Sequence, residues 1–327
     1  MIYVEAKSRD AAFHFSVEEY IVRHYPWHKP VVMIWQADKC VMVGCNQIAE
    51  AEVDINYAKR ENIQVFRRSS GGGTIYTDLG TLLYTMILPH TKENYPLEIA
   101  KTKVATPIVK ALNKMDIPAV IEGRNDILID GKKVSGLAQY VKYGRICVHG
   151  SLLYDTDLEK LVNVLYVDDD KIQSKALRSV RSRVANIKEY LRQPYTTREF
   201  WDLLKHNLGS FQEYSLSEQD LSEINNIFSQ KYTNESWTFG HSPKYTYHRS
   251  KRFTGGKVEV FLNIIKGKVA SCTIKGDFLN TLPVHEFEGM LVGKAFQYQA
   301  FEETLDAALV PLYLGNISKD EFLSCIF

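Results

Sequence analysis

At 327 residues the chain exceeds one typical domain, so one large and one small domain are expected. Its 45% apolar and 24% charged residues fit an ordinary folded protein, and a net charge of +1 excludes a surface-wide field for nucleic acid or anionic membrane. Five cysteines, odd in number and without a C-x-x-C pair, argue against a disulfide framework or zinc site, and the lack of a secretion-type apolar core in 1–10 or a membrane-length run later points to a cytoplasmic protein; a monomer is expected.

In chain order, residues 10–25 have helical spacing, with Phe13, Val17, Tyr20, Ile21 and His24 on one face and Asp10 as N-cap. Strands are expected over 31–35 and 40–44, joined by a short polar turn. A helix around 51–61 leads into a strand at 64–67, which feeds the run Arg67-Arg68-Ser69-Ser70-Gly71-Gly72-Gly73. Three glycines bare the backbone N–H groups to an anionic or carbonyl-bearing ligand, and the paired arginines offer a cationic fork. Thr74-Ile75-Tyr76 leaves the loop as a strand. The unit is therefore strand–loop–strand, with neither G-x-x-x-x-G-K-[ST] nor a G-x-G-x-x-G opening a helix. A glycine triplet alone also suits a surface turn.

Residues 82–88 read as a buried strand ended by Pro89. A helix over 100–115 carries Val104, Ile108, Leu112 and Met115 on one face, with Pro107 expected to kink or start it. Residues 126–149 read as an antiparallel meander turning at Asp130-Gly131 and Tyr143-Gly144, with 132–135 as the first return strand. A basic span follows from Lys171 to Lys188, then helices near 197–208 and 217–232, the second with capping spacing from Ser217 to Asp220. The Gly, Ser, Tyr and Lys-rich residues 236–256 read as the connection, with the linker at 243–256 between domains 1–242 and 257–327. Strands at 257–265 and 268–275 meet at Lys266-Gly267, and helices are expected at 284–292, 300–309 and 318–326. The expected fold is α+β: a large domain with a mixed, mainly antiparallel sheet flanked by helices, plus a small α+β domain.

Several residues are candidates for chemistry. Lys133 stands just beyond a tight turn, where an ammonium is either solvated or turned into a site. Ser135-Gly136 would let a ligand lie close to its strand, and Asn125-Asp126 at the other foot of the hairpin could meet a base or Mg²⁺. Cys147 and His149 alternate onto one face of a strand, as a thioester-forming pair or as a buried thiol beside a packed histidine. The basic span suits phosphate or nucleic acid, but lacks the interleaved aromatic residues of a single-strand binder.

Taken together, Arg67–Gly73 with Asp78, Gly123-Arg124-Asn125-Asp126, Lys133-Val134-Ser135-Gly136, His149-Gly150-Ser151-Leu152-Leu153 and the run from Ser174 to Ile187 resemble the lipoate–protein ligase family. With residues 267–278 included, the resemblance spans essentially the whole chain. It implies activation of lipoate by ATP with Mg²⁺ to a lipoyl-adenylate, then amide formation on a lysine of an acceptor, an E2 lipoyl domain or a glycine-cleavage H protein. It implies Lys133 as the catalytic cation. Trp35, Arg68, Ser70, Gly71, Gly72, Gly73, Ser135 and Gly136 would meet lipoate. Arg67, Gly73, Thr74, Tyr76, Asn125, Asp126, Lys133, His149, Ser151, Lys175, Arg178 and Arg181 would meet the adenylate, with Asp126 also a metal ligand. Thr77, Thr81 and Gln139-Tyr140 depart from the pattern of many relatives. The rivals are a biotin–protein ligase and an ATP-independent octanoyl or lipoyl transferase acting through a Cys147 thioester.

Overall fold

The computed structural model describes residues 1–24, 29–90, 96–123, 125–165, 183–240, 246–307 and 309–327. The opening helix α1 spans Ala11–His24, and the Asp10 carboxylate caps it by accepting the Ala12 N–H at 2.8 Å. Its burial is broader than the expected stripe. Glu18 and Glu19 are buried with the apolar residues, whereas His24 is exposed.

An eight-stranded sheet forms the body of the protein, in the order β11-β1-β2-β6-β10-β9-β8-β7. The strands are β1 (Ile2–Val4), β2 (Val31–Trp35), β6 (Thr81–Pro89), β7 (Val120–Glu122), β8 (Asp126–Ile129), β9 (Lys132–Lys142), β10 (Arg145–Leu153) and β11 (Gln212–Tyr214). β1 pairs in parallel with β2 and β11; all other pairs are antiparallel. Every residue of β2 is buried, as are all but one of β10, which fits central strands covered on both faces. The turns Asp130-Gly131 and Tyr143-Gly144 have positive φ at both residues, 48° and 73°, then 51° and 70°. That is the backbone twist a two-residue hairpin needs. The meander is as expected, but β9 is one long strand that continues to the second turn.

A second sheet, in the order β4-β3-β5, stands apart, with β3 (Cys40–Val43) between β4 (Gln64–Arg67) and β5 (Ile75–Thr77). The strands expected at 31–35 and 40–44 therefore belong to different sheets and form no hairpin. The two strands flanking the glycine loop do not pair either; both pair with β3. The helix expected over 51–61 is two short helices, Ala49–Glu52 and Ile55–Arg60, because Asp54 caps the second by accepting the Tyr57 N–H at 2.9 Å. The helix over 100–115 is a π-helical stretch, Ala100–Ala105, that passes into Thr106–Asn113 with Pro107 in its first turn.

Residues 246–327 build a third sheet, β12-β13-β14, from β12 (Tyr247–Phe253), β13 (Gly256–Ile265) and β14 (Lys268–Gly276), with its own hydrophobic core. The expected linker at 243–256 thus contains β12, paired along its length with β13. The helix expected at 300–309 is shorter, Tyr298–Thr304, and a further helix follows at Val310–Leu314. A turn after β14 touches the large domain. Gly276 N donates to Asn46 O at 2.9 Å, Gly72 N to Phe278 O at 3.2 Å, and Asn46 Nδ2 to Asn280 Oδ1 at 2.8 Å.

Candidate active site

Where β2, β9 and β10 meet the glycine loop, they enclose a cavity of about 140 Å³. Phe15, Trp35, Met42, Ile75, Leu83 and Leu137 supply an apolar wall, and Lys133, Asn125, His149 and Ser151 are among its polar lining. Of the residues singled out from sequence, Trp35, Arg68, Gly72, Gly73, Thr74, Asn125, Lys133, Gly136, His149 and Ser151 line this cavity together.

Lys133 reaches the cavity through a local irregularity. The β8–β9 register shifts between Ile127 and Leu128, so Asp126 pairs with Gly136 while Leu128 pairs with Lys133. Lys133 Nζ lies 2.8 Å from Asp126 Oδ1, an ion pair that is partly exposed. A Cβ on Gly136 would stand 2.9 Å from Lys133 Nζ and 3.0 Å from its Cε, so the bare glycine makes room for the ammonium. The Lys133 backbone is held from the other side: its N–H donates to Arg183 O at 2.7 Å, and its carbonyl accepts from Ala185 N at 3.1 Å. Asn125 is fixed to Leu137, donating Nδ2–H to its carbonyl at 2.7 Å.

The two arginines of the glycine loop leave the extended chain on different errands. Arg67 is fully buried away from the cavity and donates to the carbonyls of Gly44, Gln47, Trp237 and Thr238 at 2.6–3.1 Å. Arg68 borders the cavity, but its guanidinium donates to the carbonyls of Met42, Gly71 and Gly73, each at 2.7 Å, and to Ser70 Oγ at 3.0 Å. The fork expected to grip phosphate or carboxylate instead folds the loop around itself. Burial lowers the Arg68 pKa to about 10, still well above neutrality. Gly72, at φ +87°, takes a conformation that suits glycine, and Leu279 of the small domain lies where its side chain would begin.

Other expected contacts fall elsewhere. Tyr76 is buried in a separate core with Val41, Val43 and Ala58 and donates toward Asp78, so it does not face the cavity. The Ser135 hydroxyl pairs with Tyr84 at 3.2 Å, and Gly71 packs under Phe278 O and Asn280. Ser70 lies behind the wall, its Oγ 2.6 Å from His149 Nε2. Lys175, Arg178 and Arg181 lie outside the described residues.

The base of the cavity contains a hydrogen-bonded chain that sequence reasoning missed. Trp35 Nε1 donates to Thr85 Oγ1 at 3.1 Å, Thr85 donates to Glu18 at 2.5 Å, and Glu18 faces His149 Nδ1 at 3.1 Å. Trp35 also stacks on His14, ring centroids 4.4 Å apart; burial lowers the His14 pKa to about 4, which keeps that ring neutral. Two consecutive acidic residues set between Val17 and Tyr20-Ile21-Val22 were the available signal. Cys147 shares a face with His149, as expected, and its Sγ lies within 4.8 Å of ligand atoms of both Glu18 and His149. Burial pushes its thiol pKa well up, so it is a neutral core group and a poor nucleophile.

Comparison with known proteins accords with this geometry. The family described as lipoyl protein ligase A/B catalytic domain matches residues 10–209, and bacterial lipoate protein ligase C-terminus matches residues 242–326. The chain is 36% identical to lipoate-protein ligase LplJ of Bacillus subtilis, over 100% of both chains. Among solved structures, a bi-partite lipoate protein ligase of Thermoplasma acidophilum, described with its E2 lipoyl domain, superposes with a TM-score of 0.67 at 27% identity. It covers 75% of this chain and 98% of its own. P. falciparum LipL1, solved in complex with lipoate, shares the fold over 93% of each chain, with a TM-score of 0.72 at 19% identity. With its catalytic-domain match spanning more than half its length and a relative aligned end to end, the chain belongs to the lipoate–protein ligase family.

Proposed function

We propose that this ligase joins lipoate to a lysine of an acceptor protein through a lipoyl-adenylate, with Lys133 serving both steps. The observation that carries the assignment is one lysine ammonium at an otherwise largely apolar cavity, given room by Gly136 and tethered by Asp126. In the first step a lipoate carboxylate oxygen attacks the α-phosphorus of ATP, and the bond to the departing pyrophosphate breaks. In the second the acceptor amine attacks the acyl carbon, loses a proton, and AMP leaves. Negative charge gathers on phosphoryl oxygens, then on the acyl oxygen, and one fixed cation beside both atoms stabilises both transition states. The wall of Phe15, Trp35, Met42, Ile75, Leu83 and Leu137 suits an aliphatic C8 acid, at about 0.8 kcal/mol per buried methylene.

The residues do not form a Mg²⁺ cage. Among the described residues no carboxylate lines the cavity, and Asp126 is paired with Lys133. Mg²⁺ would therefore enter on the nucleotide phosphates, as is usual for this ion, with Asp126 as the neighbouring carboxylate. It would offset phosphate charge. Lys175, Arg178 and Arg181 are proposed as further adenylate contacts on the family resemblance alone. Residues 1–242 are proposed as the catalytic unit and 257–327 as an accessory unit, acting as a cytoplasmic monomer on an E2 lipoyl domain or glycine-cleavage H protein. The thioester alternative asks a buried, neutral Cys147 to ionise inside the core.

The test is pyrophosphate release with lipoate, octanoate or biotin in turn, followed by mass analysis of an acceptor lipoyl domain. Lipoate should support release and add one lipoyl group. Release with biotin alone, or lost activity in Cys147→Ser beside near-normal Lys133→Ala, would overturn the proposal.

A further inference from the structure

Helix α1 carries two consecutive buried acids, Glu18 and Glu19. Neighbouring positions on a helix diverge by about 100°, yet each carboxylate reaches one of two consecutive serines of the glycine loop through an intermediary. Glu19 Oε2 accepts from Lys231 Nζ and Tyr232 OH, both at 2.6 Å, and these groups meet Ser69 Oγ at 2.8 and 2.7 Å. Glu18 faces His149 Nδ1 at 3.1 Å (Oε2) and 3.2 Å (Oε1), and His149 Nε2 meets Ser70 Oγ at 2.6 Å. The arms end differently. His149 lines the cavity, whereas Lys231 and Tyr232 do not.

Counting protons along the Glu18 arm decides the state of the histidine. An ionised carboxylate only accepts, so His149 Nδ1 must carry a hydrogen. Arg68 Nε–H donates to Ser70 Oγ, and the serine's own proton meets an acceptor within this chain when His149 Nε2 is bare. The neutral Nδ1–H form is the one in which every donor in this chain meets an acceptor. Thr85 fixes the carboxylate itself by donating to Oε1 at 2.5 Å.

We propose that Glu18 is a positioning residue for the acid substrate, holding His149 as the Nδ1–H tautomer so that Nε2 braces Ser70 and sets the glycine loop against the cavity. This rests on reading the cavity as the lipoate site. Glu19 braces the same loop from outside the cavity and serves stability alone.

Glu18→Gln separates the two roles. Thr85 holds the amide oxygen at the Oε1 position, so the amide nitrogen takes the nearer Oε2 position, 3.1 Å from His149 Nδ1, where its N–H opposes an Nδ1–H and favours the Nε2–H form. Ring-nitrogen NMR of ¹⁵N-histidine-labelled full-length protein, with His149→Gln to assign the signal, should show Nδ1–H in the wild type and Nε2–H in Glu18→Gln. Calorimetry should show lipoate Kd weakened about tenfold in Glu18→Gln, the scale of one lost buried hydrogen bond. Glu19→Gln should lower the melting temperature and leave both tautomer and Kd in place. An Nε2–H ring in the wild type overturns the proposal, as does a Glu18→Gln protein with switched tautomer and unchanged Kd. Should Glu18→Gln fail to fold, the wild-type tautomer and Ser70→Ala decide, since loss of the brace at Ser70 must weaken lipoate binding by a similar factor. Wild-type protein that binds no lipoate overturns the cavity reading itself, a result the ligand-free NMR measurement keeps distinct from a wrong tautomer.

Discussion

At the mouth of the cavity, Lys133 leaves 41% of its side chain exposed and its partner Asp126 leaves 34%. At the base, the His149 and Glu18 side chains are 9% and 3% exposed, and bonds to Thr85 and Ser70 extend their network. The mouth is a partly exposed charge tethered to one carboxylate on a bulged strand; the base is a buried network with matched donors and acceptors. Exposed ion pairs stabilise folding little, whereas buried polar networks fix geometry when every member is satisfied. The contrast follows from the tasks. On the proposed function, one tethered ammonium must stand within reach of both reacting atoms at the open end, while a wall for an alkyl chain must keep its shape.

The sharpest way to break this comparison is at the mouth. Lys133→Ala should reduce both pyrophosphate release and transfer from pre-made lipoyl-adenylate by about 10²–10³, the usual loss for one oxyanion donor. Its melting temperature should barely move, since an exposed pair contributes about 0–1 kcal/mol. Normal transfer from the pre-made adenylate would confine Lys133 to the first step.

The buried side should respond in the opposite way. Glu19 is 3% exposed and paired with Lys231 and Arg23. Burial alone would raise its pKa, but the charge and hydrogen bond of Lys231, the Tyr232 hydroxyl and Arg23 outweigh it and hold Glu19 at about 2. A depressed carboxylate contributes stability that is fully present above its ordinary pKa of 4.5 and is lost as pH falls toward about 2. Glu19→Gln should cost roughly 2–3 kcal/mol near neutrality, because it leaves the partly buried Lys231 without its counter-charge, somewhat less than the loss of a fully buried pair. Denaturant melts at several pH values provide the check: the gap between wild type and variant should narrow in acid, and a pH-independent gap would remove the ion pair from the explanation.

A smaller change at the mouth tests placement without removing the charge. Gly136→Ala puts a methyl group where the end of the Lys133 side chain now lies. The chain is flexible enough to swing aside, so folding should survive while turnover falls by about tenfold, the cost of a misplaced catalytic group. Unchanged turnover would show that the ammonium need not sit over Gly136.

These regions differ in how far the sequence revealed them. Local chemistry was legible: the Asp130-Gly131, Tyr143-Gly144 and Lys266-Gly267 turns all take positive φ, and Ser217 caps its helix through Asp220. The mouth residues Asn125 and Lys133 were legible for the same reason, since they flank a short hairpin. What depends on tertiary direction was not. Arg67 and Arg68 read as a ligand-binding pair because nothing local reveals that surrounding carbonyls occupy both guanidiniums. β12 read as linker because it is an edge strand whose middle, Arg249 to Arg252, is exposed; charged residues there guard the edge and hide the strand pattern. Glu18 and Glu19 were not singled out at all, because their partners Thr85, His149, Lys231 and Tyr232 come from distant parts of the chain.

The seam between the domains tests whether burial alone confers the character of the base. Glu52 sits near Asp277, Lys257 and Glu259 of the small domain. Unlike Glu19 it has no dominant cation: burial, then the Asp277 charge, raise its pKa to about 7, against weaker lowering by Lys257 and Gln47. The sign of its linkage is therefore reversed. The folded protein holds this proton more tightly than the unfolded chain, so the associated stability is fully present below pH 4.5 and is lost as pH rises through about 7. Glu52→Gln removes the penalty and should stabilise the protein by about 1 kcal/mol at alkaline pH, a figure reduced for solvent screening at a partly exposed site, with little change in acid. Because the Asn46–Asn280 and Gly72–Phe278 bonds of the same seam adjoin the glycine loop, the variant should also hold the small domain more firmly against the cavity above neutral pH. Small-angle scattering at acid and alkaline pH checks that. A wild-type curve that expands on alkalisation while the Glu52→Gln curve does not would tie the seam to this one carboxylate, whereas identical behaviour would leave Glu52 a local cost with no hold on the domains.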